Sequence, residues 1–236
     1  MRIIFHIIAL YISFTAINRA QTYTTDFSFT ENPISENGKW KNGGSNGFDW
    51  NNVITGKGIA IGTQTGVDTG VQRYNDSYAI LSGFPPDQTA EGVVHYVNPL
   101  NSCNQEVELL LRWTSTAHSA QGYECLARCI NSGDSYMEIV RWNGPLGDFT
   151  YLAKMHSSSA GINSGDTLKA SIKGNIITFY QNGVIRLQCT DNTYSYGNPG
   201  VGFFLHGCPG TNTNFGLTSF RAEGFLPSEY LKPALP

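Results

Sequence analysis

Charge is scarce in this chain. Lys, Arg, Asp and Glu together make 14% of its 236 residues, against about 25% in ordinary soluble proteins. Helical surfaces are built largely from Lys, Glu and Arg, so the shortage argues against a helical domain. The formal net charge of -3 leaves no positive excess to draw nucleic acid or an anionic membrane surface. No amphipathic helical segment longer than a turn or two, internal repeat, low-complexity tract or interdomain linker is visible. The chain also lacks a Cys-x-x-Cys pair, a His-Glu-x-x-His, a glycine-rich phosphate loop and a Ser-His-Asp order. Those absences remove the usual signatures of zinc sites, nucleotide binding and triad hydrolysis.

Glycine is abundant, with 26 residues, above the usual share of about 7%. Few charges and many glycines suit short strands joined by tight turns. The N-terminus differs from the rest. Arg2 is followed by Ile3 to Ile17, nearly all apolar, and Ala20 can end a cleavage site. A membrane-spanning helix needs about 20 apolar residues, and this run is shorter. Residues 1–20 are therefore read as a secretory signal peptide, with residues 21–223 as one domain and 224–236 as a C-terminal tail holding three prolines. No membrane insertion is expected after cleavage. Export permits disulfides. The five cysteines are Cys103, Cys125, Cys129, Cys189 and Cys208. Cys125 and Cys129 would lie about 13 Å apart along one strand, too far to bridge. Cys189 with Cys208 is the first pairing expected.

From Gln21 onward the pattern alternates. Val107, Leu109, Leu111 and Trp113 fall on one face of a strand, and Glu106, Glu108, Leu110 and Arg112 on the other. That is the period of two of a half-buried strand. Tyr123 to Ile130 and Tyr136 to Trp142 form a second pair around Asn131-Ser132-Gly133-Asp134. Leu168, Ala170 and Ile172 alternate, Gly174-Asn175 turns the chain, and Ile177 and Phe179 resume the buried set. Asn182-Gly183 is the strongest short hairpin signal, and Val184 to Cys189 and Gly200 to His206 continue the series. Strands at this spacing predict an all-β, two-sheet antiparallel sandwich.

The order Asn75-Asp76-Ser77-Tyr78-Ala79, Asp87-Gln88, Gly92 to Tyr96, Gly122-Tyr123-Glu124, Glu138 to Trp142, Ser164-Gly165-Asp166-Thr167-Leu168, Tyr180-Gln181-Asn182-Gly183 and Gly197 to Gly202 resembles the concanavalin A-like lectin/glucanase superfamily. The likeness is to its jelly rolls, including laminin G-type modules, and it covers roughly three-fifths of the chain. It implies a fold that hosts lectins, glycoside hydrolases, polysaccharide lyases and adhesion modules, so it identifies fold better than function. The hydrolases of that superfamily carry Glu-x-Asp-x-x-Glu on one strand. Glu106-Val107-Glu108-Leu109-Leu110-Leu111 has Glu108 where that motif has Asp and Leu111 in place of the final acid, so the motif is rejected. The alginate-lyase branch carries Gln-x-His and a Tyr-x-Lys-x-Gly-x-Tyr strand, and neither is present. A lyase using Glu124, Arg128, Tyr180 and His206 stays open.

The function that best fits is a secreted or cell-surface carbohydrate-binding or adhesion module without catalysis, its partner a polysaccharide or glycoconjugate. A polysaccharide lyase or glycoside hydrolase is the alternative. A self-assembling surface protein is a third. Alternation groups Arg112 with Glu108 and Arg128 with Glu124, so the expected ligand site is Arg112, Glu124, Arg128, Trp142 and His206, a groove of both signs. Trp113 is expected in the core. No cofactor is required. A structural calcium would draw on Asp49, Asp68 and Asp76, although Asx turns explain these equally. The leader gives the first test: N-terminal sequencing of the exported protein should start near Gln21, and an intact Met1 in a membrane fraction would overturn the reading.

Overall fold

The computed structural model describes residues 21–67 and 76–225. The leader, Asp68, Asn75 and residues 226–236 of the tail lie outside the described residues. Gly224 and Phe225 belong to the last strand, not to the tail.

The described residues are 57% strand and 5% helix, in two antiparallel sheets that form a sandwich. In chain order the strands are β1 (Gln21–Thr25), β2 (Lys41–Asn42), β3 (Val53–Gly56), β4 (Ile59–Gly62), β5 (Asp76–Ile80), β6 (Asp87–Tyr96), β7 (Asn104–Thr116) and β8 (Ser119–Arg128). They continue with β9 (Tyr136–Gly144), β10 (Phe149–His156), β11 (Thr167–Lys173), β12 (Ile176–Gln181), β13 (Val184–Thr190), β14 (Asn198–His206) and β15 (Phe215–Phe225). One sheet runs β13-β12-β11-β6-β15-β4-β3, with β1 added against β15. The other runs β10-β9-β8-β7-β14-β5-β2. No helix among the described residues is long and apolar enough to cross a membrane.

The main core lies between the sheets. Val107, Leu109 and Leu111 of β7, Tyr123 and Cys125 of β8, and Val201, Phe203 and Leu205 of β14 meet Leu168, Ala170 and Ile172 of β11 and Phe215, Leu217 and Phe220 of β15. The β12–β13 turn has Asn182 at φ +51 and Gly183 at φ +77, the two left-handed residues that a type I′ hairpin requires.

Alternation in β7 holds only as far as Leu111. The register between β7 and β8 slips between Leu111 and Thr114, and that between β14 and β7 slips between Asn198 and Gly200. Arg112 stands at the break with φ +47. This is a β-bulge, in which one extra residue re-aims the side chains that follow it. The expected grouping of Trp113 with Val107, Leu109 and Leu111 is therefore corrected. Trp113 is buried, but in a second cluster with Trp50, Tyr78, Leu110, Leu126, Val140 and Trp142. The grouping of Arg112 with Glu108 is corrected by the same slip. A Cβ on Gly197 (φ +132) would overlap the Arg112 carbonyl, so the neighbouring chain must be glycine for the bulge to fit.

The expected Cys189–Cys208 pairing is also corrected: the disulfide joins Cys103 to Cys208, with their Cα atoms 5.5 Å apart. The reason is register. His206 of β14 lies opposite Asn104 of β7, so the residues just beyond this pair converge although 105 positions separate them in sequence. Cys125, Cys129 and Cys189 are free. Closing so long a loop constrains the unfolded chain strongly. Replacing both Cys103 and Cys208 by Ser should lower stability by about 2–5 kcal/mol, read from denaturant midpoints. A non-reducing peptide map that joins Cys189 to Cys208 would refute the pairing.

Candidate functional site

The outer face of the β10-β9-β8-β7-β14-β5-β2 sheet is a trough. Its cavity of about 320 Å³ is lined by Asp76 of β5, Glu106 and Glu108 of β7, Glu124 and Leu126 of β8, Tyr136, Glu138, Val140 and Trp142 of β9, Phe149, Tyr151 and His156 of β10, and Phe204 and His206 of β14, with Asn104. That volume is within the range of small-ligand pockets.

Pairing across the strands explains the pattern. Glu108 lies opposite Leu126 and Glu124 opposite Leu110. On the next strand Leu126 lies opposite Glu138 and Glu124 opposite Val140. Carboxylates and aliphatics thus alternate across the face as on a chequerboard. Glu124 faces Leu110, so the third carboxylate of the trough comes from β8 and not from further along β7.

All five carboxylates are buried. Glu106 accepts from the Tyr136 hydroxyl. Glu124 accepts from the Trp142 indole N–H at 2.6 Å. Glu138 pairs with His156 at 2.5 Å. Glu108 and Asp76 receive no side-chain hydrogen bond from any described residue. Glu108 is only 2% exposed, and it lies flat across Gly202, where a Cβ would overlap its carboxylate oxygen. Burial disfavours the charged form. It pushes Asp76 up to about 7 and Glu106 up to about 8, the latter against the Tyr136 hydrogen bond. Burial, then the neighbouring carboxylates, carry Glu108 and Glu124 well above the ordinary carboxylate range.

One wall is aromatic. Trp113 and Trp142 have ring centroids 6.0 Å apart, Trp142 and Phe149 5.5 Å, and Phe149 and Tyr151 5.2 Å. Trp142 is buried, whereas Tyr151 is 45% exposed at the rim.

Of the five residues expected at the site, Glu124, Trp142 and His206 line the trough together. Arg112 and Arg128 do not line it. Past the bulge, Arg112 donates to the carbonyls of Pro86 (2.8 Å), Tyr194 (2.9 Å) and Gly174 (2.8 Å) and pairs with Asp87 at 3.4 Å. Arg128 shares a face with Glu124 but donates to the carbonyls of Cys103, Asn101 and Asp134 at 2.7–3.1 Å. Its guanidinium lies 5.7 Å from the Tyr136 ring centre. Sequence reading left Asp76, Glu106, Tyr136, Phe149, Tyr151 and His156 out of the site. Strand β10 was not read at all, because its alternation breaks at a register shift between Tyr151 and Ala153. Asp49 pairs with His118 at 2.8 Å. Among the described residues no three His, Cys, Asp or Glu side chains gather as a metal set.

The raised carboxyls set a pH dependence. Between the ordinary carboxylate pKa and about 8, the folded chain holds protons that the unfolded chain has released. Their stabilising contribution is present below the unfolded value and is lost as pH rises through the folded one. Thermal midpoints should therefore fall from pH 5 to pH 8.5, and Glu106→Gln should flatten the decline. A midpoint that rises over this range would contradict burial of neutral carboxyls.

No family profile matches the chain, and no curated protein matches it by sequence. Solved structures match its fold. The carbohydrate-binding module CBM66 from Bacillus subtilis is 14% identical with TM-score 0.52, over 82% of this chain and 96% of its own. The metal-free carbohydrate recognition domain of Emp46p is 10% identical with TM-score 0.53, over 86% and 100%. The exoplasmic/lumenal domain of VIP36, solved bound to Ca2+ and Man3GlcNAc, is 10% identical with TM-score 0.53, over 80% and 85%. The likeness at these identities is one of fold, and the chain has the concanavalin A-like lectin/glucanase fold.

Proposed function

We propose that this is a secreted or cell-surface glycan-binding protein whose trough holds the sugar. The observation that carries the reading is an aromatic wall beside buried carboxyl groups, two of them without side-chain donors among the described residues. Sugar rings present apolar C–H faces and rims of hydroxyls. Phe149 and Tyr151 suit the first, and Glu108, Glu124 and Asp76 suit the second. Neutral carboxyls both donate and accept hydrogen bonds, which fits hydroxyl partners. Three fold neighbours, a carbohydrate-binding module, a carbohydrate recognition domain and a domain solved with a bound glycan, lend support. The disulfide fits an oxidising compartment.

Within this reading Glu124, Trp142 and His206 meet the ligand, and Arg112 and Arg128 hold the frame. The expected groove of both signs is replaced by a trough lined by acid groups and aromatics. A second reading has a specific observation behind it. Glycosidic cleavage needs two carboxyl groups flanking one bond, and Glu106, Glu108 and Glu124 share this cavity. Self-assembly would draw on exposed apolar residues such as Ile176, Val184 and Ile185 of the β12–β13 hairpin, where Arg186 interrupts the edge.

A glycan array run beside assays for reducing ends and unsaturated products tests the proposal. Binding without product is expected. Tyr151→Ala should weaken binding about tenfold or more, the equivalent of roughly 1.4 kcal/mol, without changing the thermal midpoint. Arg128→Ala should lower the midpoint and leave affinity nearly unchanged. Product formation lost on Glu124→Gln would favour cleavage. An array with no bound glycan would overturn the proposal.

A further inference from the structure

We infer that the trough selects a glycan bearing a protonated amine, an amino sugar without its acetyl group, over neutral and acidic sugars. The inference rests on the reading of the trough as a glycan site. It comes from charge placement. Asp76 from β5, Glu106 and Glu108 from β7, Glu124 from β8 and Glu138 from β9 all face the cavity. Among the described residues, the nearby cations are committed elsewhere. Arg112 is turned to the opposite side by the bulge and held by three carbonyls and Asp87. Arg128 is engaged by carbonyls. On β10, Lys154 lies opposite Glu138, but its ammonium sits 3.1 Å from the Tyr151 ring centre at the rim. His156 is engaged with Glu138. His206, on β14, completes the titratable groups at the edge, and Tyr136 adds a neutral hydroxyl.

Glu108 supplies an independent pointer to a ligand. Glu108 is 2% exposed and lines the cavity, and its carboxyl receives no side-chain hydrogen bond from the described residues. Gly202 leaves the space in which it lies. A buried acid group without a donor is costly to keep. An ammonium carries three donors and no acceptor, so it can serve Glu108 and its neighbours together, through charge-assisted bonds about twice as strong as neutral ones. A uronate or sulfate would instead add a like charge to a desolvated acidic cavity.

The chequerboard distinguishes an amino sugar from a bare ion. Leu110, Leu126 and Val140 separate the carboxylates laterally, and no three metal-type ligands gather among the described residues. A ring that places one ammonium among carboxylates and C–H groups against aliphatics matches that spacing. The raised carboxyl pKa values add a signature. An arriving cation favours ionisation, so binding should release protons.

The test is isothermal titration of the mature protein with glucosamine and galactosamine oligomers, their N-acetylated forms, a galacturonate oligomer and calcium chloride. Each is run in two buffers of different ionisation enthalpy. The free-amine oligomers should bind at least about tenfold tighter than the acetylated forms, with proton release, and the uronate should not bind. Glu108→Gln and Glu124→Gln should abolish the preference. Gly202→Ala, which keeps every carboxylate and displaces Glu108, should reduce it. Circular dichroism of each variant confirms that it folds. Equal or tighter binding of the acetylated or acidic oligomers, or a trough on Tyr151 that binds only neutral glycans, would overturn amine selectivity and leave the glycan site standing. Calcium binding that displaces the oligomer would overturn it in favour of a cation site. No binding to any oligomer or arrayed glycan would overturn both readings.

Discussion

Arg112 adopts a left-handed backbone conformation that a side chain other than glycine reaches only at some cost, and the arrangement of the trough depends on it. Without the extra residue, alternation would carry the guanidinium out beside Glu108 and tuck Trp113 between the sheets. With it, Trp113 joins Trp142 and Tyr78 on the outer face. The guanidinium meanwhile ties together the segments that hold Pro86, Gly174 and Tyr194. Each hydrogen bond to a charged group is worth about 1.5–3 kcal/mol, enough in sum to offset a local strain of about 1–3 kcal/mol. One backbone irregularity therefore removes a cation from the site and adds an indole.

The second consequence concerns charge. Carboxylates on the outer face of a sheet are normally solvated. Here β10 on one side and β14 and β5 on the other bound a cavity deep enough to desolvate them. Isolated buried charge costs far more than a pKa shift, so the groups take up protons instead. The trough is thus less ionic than its composition suggests, and it is poised to ionise when a positive partner supplies the missing interaction. Arg128 fits the same logic. It lies within reach of Glu106 yet is directed by the Cys103 and Asn101 carbonyls to brace the loop that carries the disulfide.

Much of the architecture was legible in residue order, because it depends on features local in sequence. The β7 pattern up to Leu111, the β11 pattern and the Asn182-Gly183 hairpin each declare themselves within a few residues. What escaped was either irregular or non-local. A bulge inserts one residue without altering composition, so nothing in Leu111-Arg112-Trp113 announces the slip. Its clearest trace is Gly197, which is close only in space. Strand β10 was hidden by its own irregularity after Tyr151. The disulfide depends on the β7–β14 register and could not be read from spacing. Glu106 and Glu108 were weighed as part of a one-strand motif, whereas the cluster they belong to is spread over four strands, so Asp76 became visible as a partner only once strand order was known.

The fold neighbours share this architecture at 10–14% identity, and that level of likeness locates what is common. The core between the sheets is built from alternating aliphatics and aromatics that many sequences can supply, because volume and pattern matter there more than identity. The outer face of one sheet is under no such demand. Its residues contribute a separate cluster around Trp50, Trp113 and Trp142, so charge can be placed there without opening the main core. A glycan site on such a scaffold is defined by the groups that stand on the free face and by those the backbone turns away from it. Among the described residues those choices are five carboxyls facing in and the Arg112 and Arg128 guanidiniums held elsewhere, and selectivity is set by such choices and not by the sandwich itself.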